Sequence, residues 1–274
     1  MRILALETST EYCSVALWHD GVVQEKFELV GQKHSELLME MLAALLRDAG
    51  VRLAELDGIA YGAGPGSFTG VRIACGATQG LAFGANLPVA GVCTLQALAE
   101  ASGKSKVIAA LDARMGEIYH AVYEKINGEW ATVSEPCLCK AQDAPRVSGE
   151  DWFGVGSGFL VNSPPPQPSG ETTSHSTKPA SGQVAGYPTG RGGNGEEQPL
   201  IFGALSECYA GQLSAVDSAA VPHAAAIAAL GAVQFANGLG VDAALAQPFY
   251  LRDKVALKTH EREALATEKK LLNA

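Results

Sequence analysis

A serine, a threonine and four glycines lie in the nine-residue run Gly62-Ala63-Gly64-Pro65-Gly66-Ser67-Phe68-Thr69-Gly70, between a segment that reads as a strand and one that reads as a helix. In that order, backbone N–H groups and a helix N-terminus can hold an anion. The run lacks the Lys of a Walker loop, and glycines at 62, 64, 66 and 70 give no Gly-x-Gly-x-x-Gly from any start. The competing reading is structural: Ser67 or Thr69 caps the helix while the glycines turn the chain tightly. Spacing leaves both open. A serine hydrolase is excluded more firmly. Gly-x-Ser-x-Gly around Ser67 or Ser157 would need glycines where Pro65, Thr69, Val155 and Phe159 stand. His34, opening a helix, and His223, after Pro222, read as capping or surface residues rather than general bases. Cysteines at 13, 75, 93, 137, 139 and 208 contain no Cys-x-x-Cys, and only Cys137 and Cys139 are close in sequence. A zinc site would need distant partners, so buried reduced thiols are the simpler expectation.

The elements that must position these groups follow from periodicity and turn residues. Ile3 to Glu7, Cys13 to Trp18 and Val22 to Val30 read as three antiparallel strands joined by tight turns. A helix from His34 to Ala49 ends at Gly50. Asp57 to Tyr61 is a strand leading into the glycine run, and Val71 to Phe83 is helical. Pro88 to Cys93 then reads as a strand, Thr94 to Ala101 as a helix, and Pro222 to Asn237 as an Ala-rich helix with Pro in its first turn. The segment Asn162 to Pro199 breaks the pattern. Of its 38 residues 23 are Pro, Gly, Ser or Thr, so a disordered insertion is expected.

The chain has 274 residues, enough for one large domain or two modest ones. Near residue 106 the opening pattern restarts: Ile108-Ala109-Ala110-Leu111-Asp112 lies over Ile3-Leu4-Ala5-Leu6-Glu7, and each run is followed by a polar turn and another strand. Two such lobes resemble the α/β, two-lobed actin-like (ASKHA, ribonuclease H-like) fold of actin, hexokinase and the heat-shock chaperone ATPases. The organisation expected is a first lobe over 1–104, a second over 105–258 interrupted at 162–199, and a tail over 259–274. In that fold Glu7 and Asp112 would be cleft residues able to hold a metal-bound water. Their alternative is a turn carboxylate accepting backbone hydrogen bonds.

Composition narrows the partners. Twenty Lys and Arg against 29 Asp and Glu give a net charge of −9, the wrong sign for a chain that wraps a polyphosphate unaided. The basic tail after Arg252 could touch phosphate, although a solvated helix face is the simpler reading. The uncharged stretches Ile73 to Ala99 and Ser218 to Val241 carry Pro, Gln, Asn and recurrent Gly, so neither reads as membrane-spanning. No signal-peptide core forms at the start, and a cytoplasmic location is expected. On the helix 34–49 Leu37, Leu38, Met39, Met41, Leu42, Leu45 and Leu46 sweep about 200° at 100° per residue, wider than a one-sided helix needs. Two buried faces are expected there. Gly76, Gly80 and Gly84 line one edge of the next helix. Together these place a partner-binding surface at Leu38, Met39, Leu42, Leu46, Gly76 and Gly80, with a deep core as the alternative.

Gly64-Pro65-Gly66-Ser67-Phe68-Thr69-Gly70-Val71-Arg72-Ile73, the opening Ile3 to Thr10, Leu111 to Glu117 and Gln247-Pro248-Phe249-Tyr250-Leu251-Arg252 closely resemble the TsaB (YeaZ) family over residues 1–160 and 220–258. The resemblance implies a non-catalytic subunit, without cofactor, metal or catalytic residues of its own. It would dimerise with TsaD, with TsaE joining, so that a threonylcarbamoyl group reaches the adenosine beside the anticodon of tRNAs reading codons that begin with A. Contact with tRNA would be indirect, and a homodimer is possible without TsaD. TsaD binds its metal through His-x-x-x-His after the strand that Pro88 to Val92 resembles; here Thr94 and Leu98 replace the ligand pair. The competing class is an enzyme of the same fold, a metallo-glycoprotease or phosphotransferase using Glu7, Asp112 and the glycine loop. The segment 162–199 departs from the family pattern.

Overall fold

The computed structural model describes residues 1–161 and 203–252; the expected insertion at 162–199 and the tail at 259–274 lie outside them. Among the described residues ten strands form two five-stranded sheets. In the first, β1 (Arg2–Glu7) is buried on both faces, as its continuous apolar run requires of a central strand. It pairs antiparallel with β2 (Tyr12–His19) and parallel with β4 (Gly58–Gly64). The edges are β3 (Val22–Leu29), mostly exposed and carrying Glu25, Lys26 and Glu28, and β5 (Val89–Cys93). Charges on an exposed edge oppose pairing with another chain.

The second sheet repeats that plan. Its central strand β6 (Lys106–Arg114) pairs antiparallel with β7 (Glu117–Ile126) and parallel with β9 (Trp152–Val155). The edges are β8 (Glu129–Lys140) and β10 (Leu213–Asp217). Strand orders β3-β2-β1-β4-β5 and β8-β7-β6-β9-β10 correspond one to one, with the same directions. The aligned segments Ile3 to Glu7 and Ile108 to Asp112 lie in the two central strands. This is the two-lobed actin-like α/β fold.

Five helices complete the molecule among the described residues. Helices α1 (His34–Ala49) and α2 (Phe68–Ala85) cover the outer face of the first sheet, where Leu38, Met41, Leu42, Leu45, Ala74 and Cys75 pack on Leu4, Leu6, Val15 and Ile59. On its inner face lies α5 (Ala224–Ala236), and α3 (Thr94–Ala101) packs on the second sheet. The short α4 (Ala204–Cys208) covers that sheet's other side. Helices therefore cross between lobes: α3 follows the first lobe's strands but packs on the second sheet, and α5 follows the second lobe's strands but packs on the first. Close approach of α5 depends on Gly231, where an added Cβ would overlap that of Ala60.

Two helix starts differ from expectation. Helix α2 begins at Phe68, three residues earlier than the periodicity placed it, because Ser67 caps it: its Oγ accepts from Gly70 N at 3.3 Å. Helix α5 begins at Ala224, leaving Pro222 outside and extended His223 at the N-cap position. The wide apolar arc of α1 resolves into one buried stripe, His34, Leu38, Met41, Leu42 and Leu45, with Leu37 and Leu46 half-buried beside it. Expectation is corrected at two residues. Leu38, 1% exposed, and Leu42, 4%, lie in the core and are closed to a partner. The i, i+4 spacing from His34 through Leu38 to Leu42 turns them onto the same sheet-facing stripe.

Candidate functional site

A cleft of about 830 Å³ opens where the two lobes and residues Phe249–Arg252 meet. Ser9, Thr10 and the loop Pro65–Gly70 line one wall; Asp112, Arg114 and Ser157 line the other. The glycine loop is occupied by its own chain. Ser67 N donates to Ser9 O at 2.7 Å, and Thr8 Oγ1 donates to Gly70 O at 2.7 Å. A Cβ on Gly66 would lie 2.6 Å from Ser9 Cβ, and one on Gly70 would overlap the Thr8 carbonyl. These two glycines let the β1–β2 turn sit directly on the start of α2, which favours the structural reading of the loop.

The paired carboxylates are not equivalent. Glu7 is 1% exposed and turned into the first lobe, against Gly62, where a Cβ would overlap Oε2. Its Oε1 accepts from Ser9 N, whereas Oε2 has no partner, and burial pushes the carboxyl above its ordinary range. Glu7 thus corrects the expectation of a cleft residue: its short turn, Thr8-Ser9-Thr10, folds the carboxylate back onto backbone. Asp112 does face the cleft. Its Oδ1 accepts from Arg114 N at 2.7 Å and Oδ2 pairs with the Arg114 guanidinium at 3.2 Å. Asp112 N in turn donates to Ser157 Oγ at 3.1 Å, which gives that serine a structural role.

One of the two histidines also differs from expectation. His34 neither caps nor lies at the surface: it is buried, with Nε2 3.0 Å from Tyr12 O. His223 stacks on Phe27 and lies 3.4 Å from Glu25. Thr94 is buried with its hydroxyl donating to Pro65 O, and Leu98 is buried among Leu95, Val107 and Val155. Neither faces a free coordination position, and among the described residues no three His, Cys, Asp or Glu side chains gather to hold a metal.

Chemistry-based reading missed the strap 246–252, whose residues entered only through resemblance. Phe249 N donates to Ala63 O at 2.7 Å, and Tyr61 OH donates to Gln247 O at 3.1 Å. Arg72 donates to Tyr250 OH at 2.7 Å while its guanidinium lies over the Phe68 ring at 3.5 Å. At the far end Arg252 donates to Glu117 at 2.6 Å and to Ala113 O at 3.1 Å. The strap thereby ties the glycine-loop end of the first lobe to the β6–β7 turn of the second. On α1 Met39 is 47% exposed, and on α2 Phe83 is 82% exposed. Also on α2, Gly76, Gly80 and Gly84 have nothing within 4 Å of an added Cβ.

The family model described as TsaD, tRNA N6-adenosine threonylcarbamoyltransferase, matches residues 20–181. The Escherichia coli (strain K12) tRNA threonylcarbamoyladenosine biosynthesis protein TsaB is 45% identical over 168 residues, 58% of this chain and 72% of the relative. The chain belongs to the TsaB family. A second TsaB relative, from Haemophilus influenzae, is 38% identical over 60% of this chain and 75% of its own. YeaZ from Pseudomonas aeruginosa superimposes with a TM-score of 0.72 at 33% identity, covering 91% of this chain and 99% of that one. Another solved Pseudomonas aeruginosa structure, described as similar to the peptidase YeaZ, matches equally well at 0.72. No helix of the described residues is long and apolar enough to cross a membrane.

Proposed function

We propose that this chain is a non-catalytic scaffold subunit for threonylcarbamoyl modification of the adenosine beside the anticodon in tRNAs reading codons that begin with A. The names of its relatives support the pathway. One observation carries the non-catalytic role: at the positions where the resemblance places the metal-ligand pair of TsaD, Thr94 is spent on the Pro65 carbonyl and Leu98 is in the core. Neither oxygen nor carbon so placed replaces imidazole. An enzyme built on Glu7, Asp112 and the glycine loop is less well supported, since Glu7 is turned inward and the loop is filled by the β1–β2 turn.

The partner proposed is TsaD, bound through the exposed Met39, the half-buried Leu46 and the glycine edge at Gly76 and Gly80, with TsaE joining the pair. The same surface serves a homodimer when TsaD is absent. The net charge of −9 supports indirect contact with tRNA, and a reaction on tRNA supports a cytoplasmic location. Reconstitution tests the reading. The chain alone is expected to transfer no threonylcarbamoyl group to tRNA, while adding it to TsaD and TsaE restores transfer. Transfer by the isolated chain, or full activity of the other two without it, would overturn the proposal.

A further inference from the structure

Three thiols and a fully buried histidine cluster on the side of the second sheet away from the cleft. Cys137 on β8 lies directly opposite His120 on β7, and Cys139 opposite Ile118. Cys137 and Cys139 are two residues apart on one strand, so both thiols lie on one face, the face that carries His120. Facing pairs in antiparallel strands bring Cβ atoms to about 5 Å. Strand β8 is the sheet edge, and both cysteines are half-buried, within reach of small solutes.

The hydrogen-bond chain behind them assigns the histidine's protons. Tyr209, fully buried, has one hydroxyl proton and donates it to Pro145 O. Its oxygen must then accept the 2.8 Å bond from His120 Nε2, which therefore carries hydrogen. The remaining nitrogen, Nδ1, keeps its lone pair and has no other partner, although the ring is 0% exposed. The neighbouring Cys139 and His120 hold the Cys137 thiol well below the ordinary range, while that of Cys139 is raised. Asp143, Cys208 and Arg146 are the other charged or titratable groups near the pair and Tyr209.

We infer that Cys137 and Cys139, backed by His120 and Tyr209, form a reversible dithiol site that reacts with hydroperoxides. His120 Nδ1 takes the Cys137 proton. The thiolate attacks one oxygen of hydrogen peroxide, the O–O bond breaks, and the departing hydroxide leaves as water with the proton held on His120. Cys137 is now a sulfenic acid. The Cys139 sulfur attacks it, the S–S bond forms as the S–O bond breaks, and hydroxide leaves as a second water with the Cys139 proton. Two thiols are oxidised by two electrons and one peroxide becomes two waters. Neighbours two apart on a strand have Cα atoms about 6.6 Å apart and same-face Cβ atoms about as far, whereas a disulfide needs Cβ atoms within about 4.5 Å, so forming the bond bends the β8 edge and leaves it readily reduced.

The test uses the full chain and one equivalent of hydrogen peroxide. Peptide mass spectrometry is expected to find a loss of two hydrogens in the segment holding residues 137 and 139, reversed by dithiothreitol. Cys139→Ser should stop at a sulfenic acid on Cys137 that dimedone traps, and Cys137→Ser should give neither product. A measurement without substitution guards against misfolding. At pH about 6.5 an ordinary thiol is about 1% ionised, so iodoacetamide should modify Cys137 at least about tenfold faster than Cys139 or Cys208. Equal alkylation rates, or a peroxide product linking Cys208 instead, would overturn the inference.

Discussion

At the scale of single residues, Glu7 shows how a side chain with catalytic potential is consumed by the fold. Its carboxyl is buried against Gly62 with one oxygen unpartnered, and burial raises its pKa above the ordinary 4.5. The folded chain therefore keeps a proton that the unfolded chain has lost. The stability contributed by the protonated form is fully present below pH 4.5 and is lost as pH rises toward the folded value. Glu7→Gln keeps the acceptor for Ser9 N and cannot ionise, so its stability should be flatter across this window. Thermal melts from pH 4 to 8 should show the variant gaining on the parent as pH rises; parallel curves would mean that Glu7 ionises normally.

At the scale of elements, α1 and α2 divide into stripes with separable roles. Leu42 lies in the core at 4% exposure, so Leu42→Ala should cost about 2–5 kcal/mol, read by urea denaturation. Met39, exposed on the same helix, behaves oppositely. Met39→Asp should leave the melting temperature nearly unchanged and, under the proposed function, abolish TsaD binding by burying an unpaired carboxylate. Gly80 sharpens the point, because its added Cβ meets nothing. Gly80→Ala should stabilise the isolated chain by up to about 1 kcal/mol, since Ala is the better helix former. It should also weaken TsaD binding if that partner's backbone approaches the glycine edge. Unchanged binding in both variants would move the interface away from these helices.

For the whole molecule, the strap links the lobes across the cleft by a few polar contacts. Arg252 and Glu117 are part-exposed, at 18% and 34%, so their 2.6 Å pair is discounted for screening and is worth about 1 kcal/mol. Arg252→Ala should lower global stability by that small amount yet loosen the β6–β7 turn disproportionately. There Arg114, Met115 and Gly116 all have positive φ, a conformation held by surrounding contacts rather than by intrinsic preference. Hydrogen exchange of residues 113–117 should accelerate more than that of β1 or β6. Uniform acceleration would show that the strap only adds stability and does not hold the lobes' facing surfaces.

Much of the strand and helix order was legible in local pattern. The apolar run of β1, the extent Thr94–Ala101, the Gly50 cap at φ 65 and the repeat of β1 in β6 each depend on neighbours a few residues away or on comparison of two such runs. Composition and net charge likewise depend on no fold. What tertiary structure decided was facing. Leu38 and Leu46 are equally apolar, but the first is in the core and the second half-buried beside it, because helix rotation is set by the sheet beneath. Glu7 and Asp112 hold matching positions in similar strands, yet one is folded inward and the other paired with Arg114 in the cleft. Gly66 and Gly70 are committed to Thr8 and Ser9, about sixty residues away, and Arg252 to Glu117 across the lobes. Such contacts depend on distances closed by the assembled sheets, and residue spacing along a chain carries no record of them.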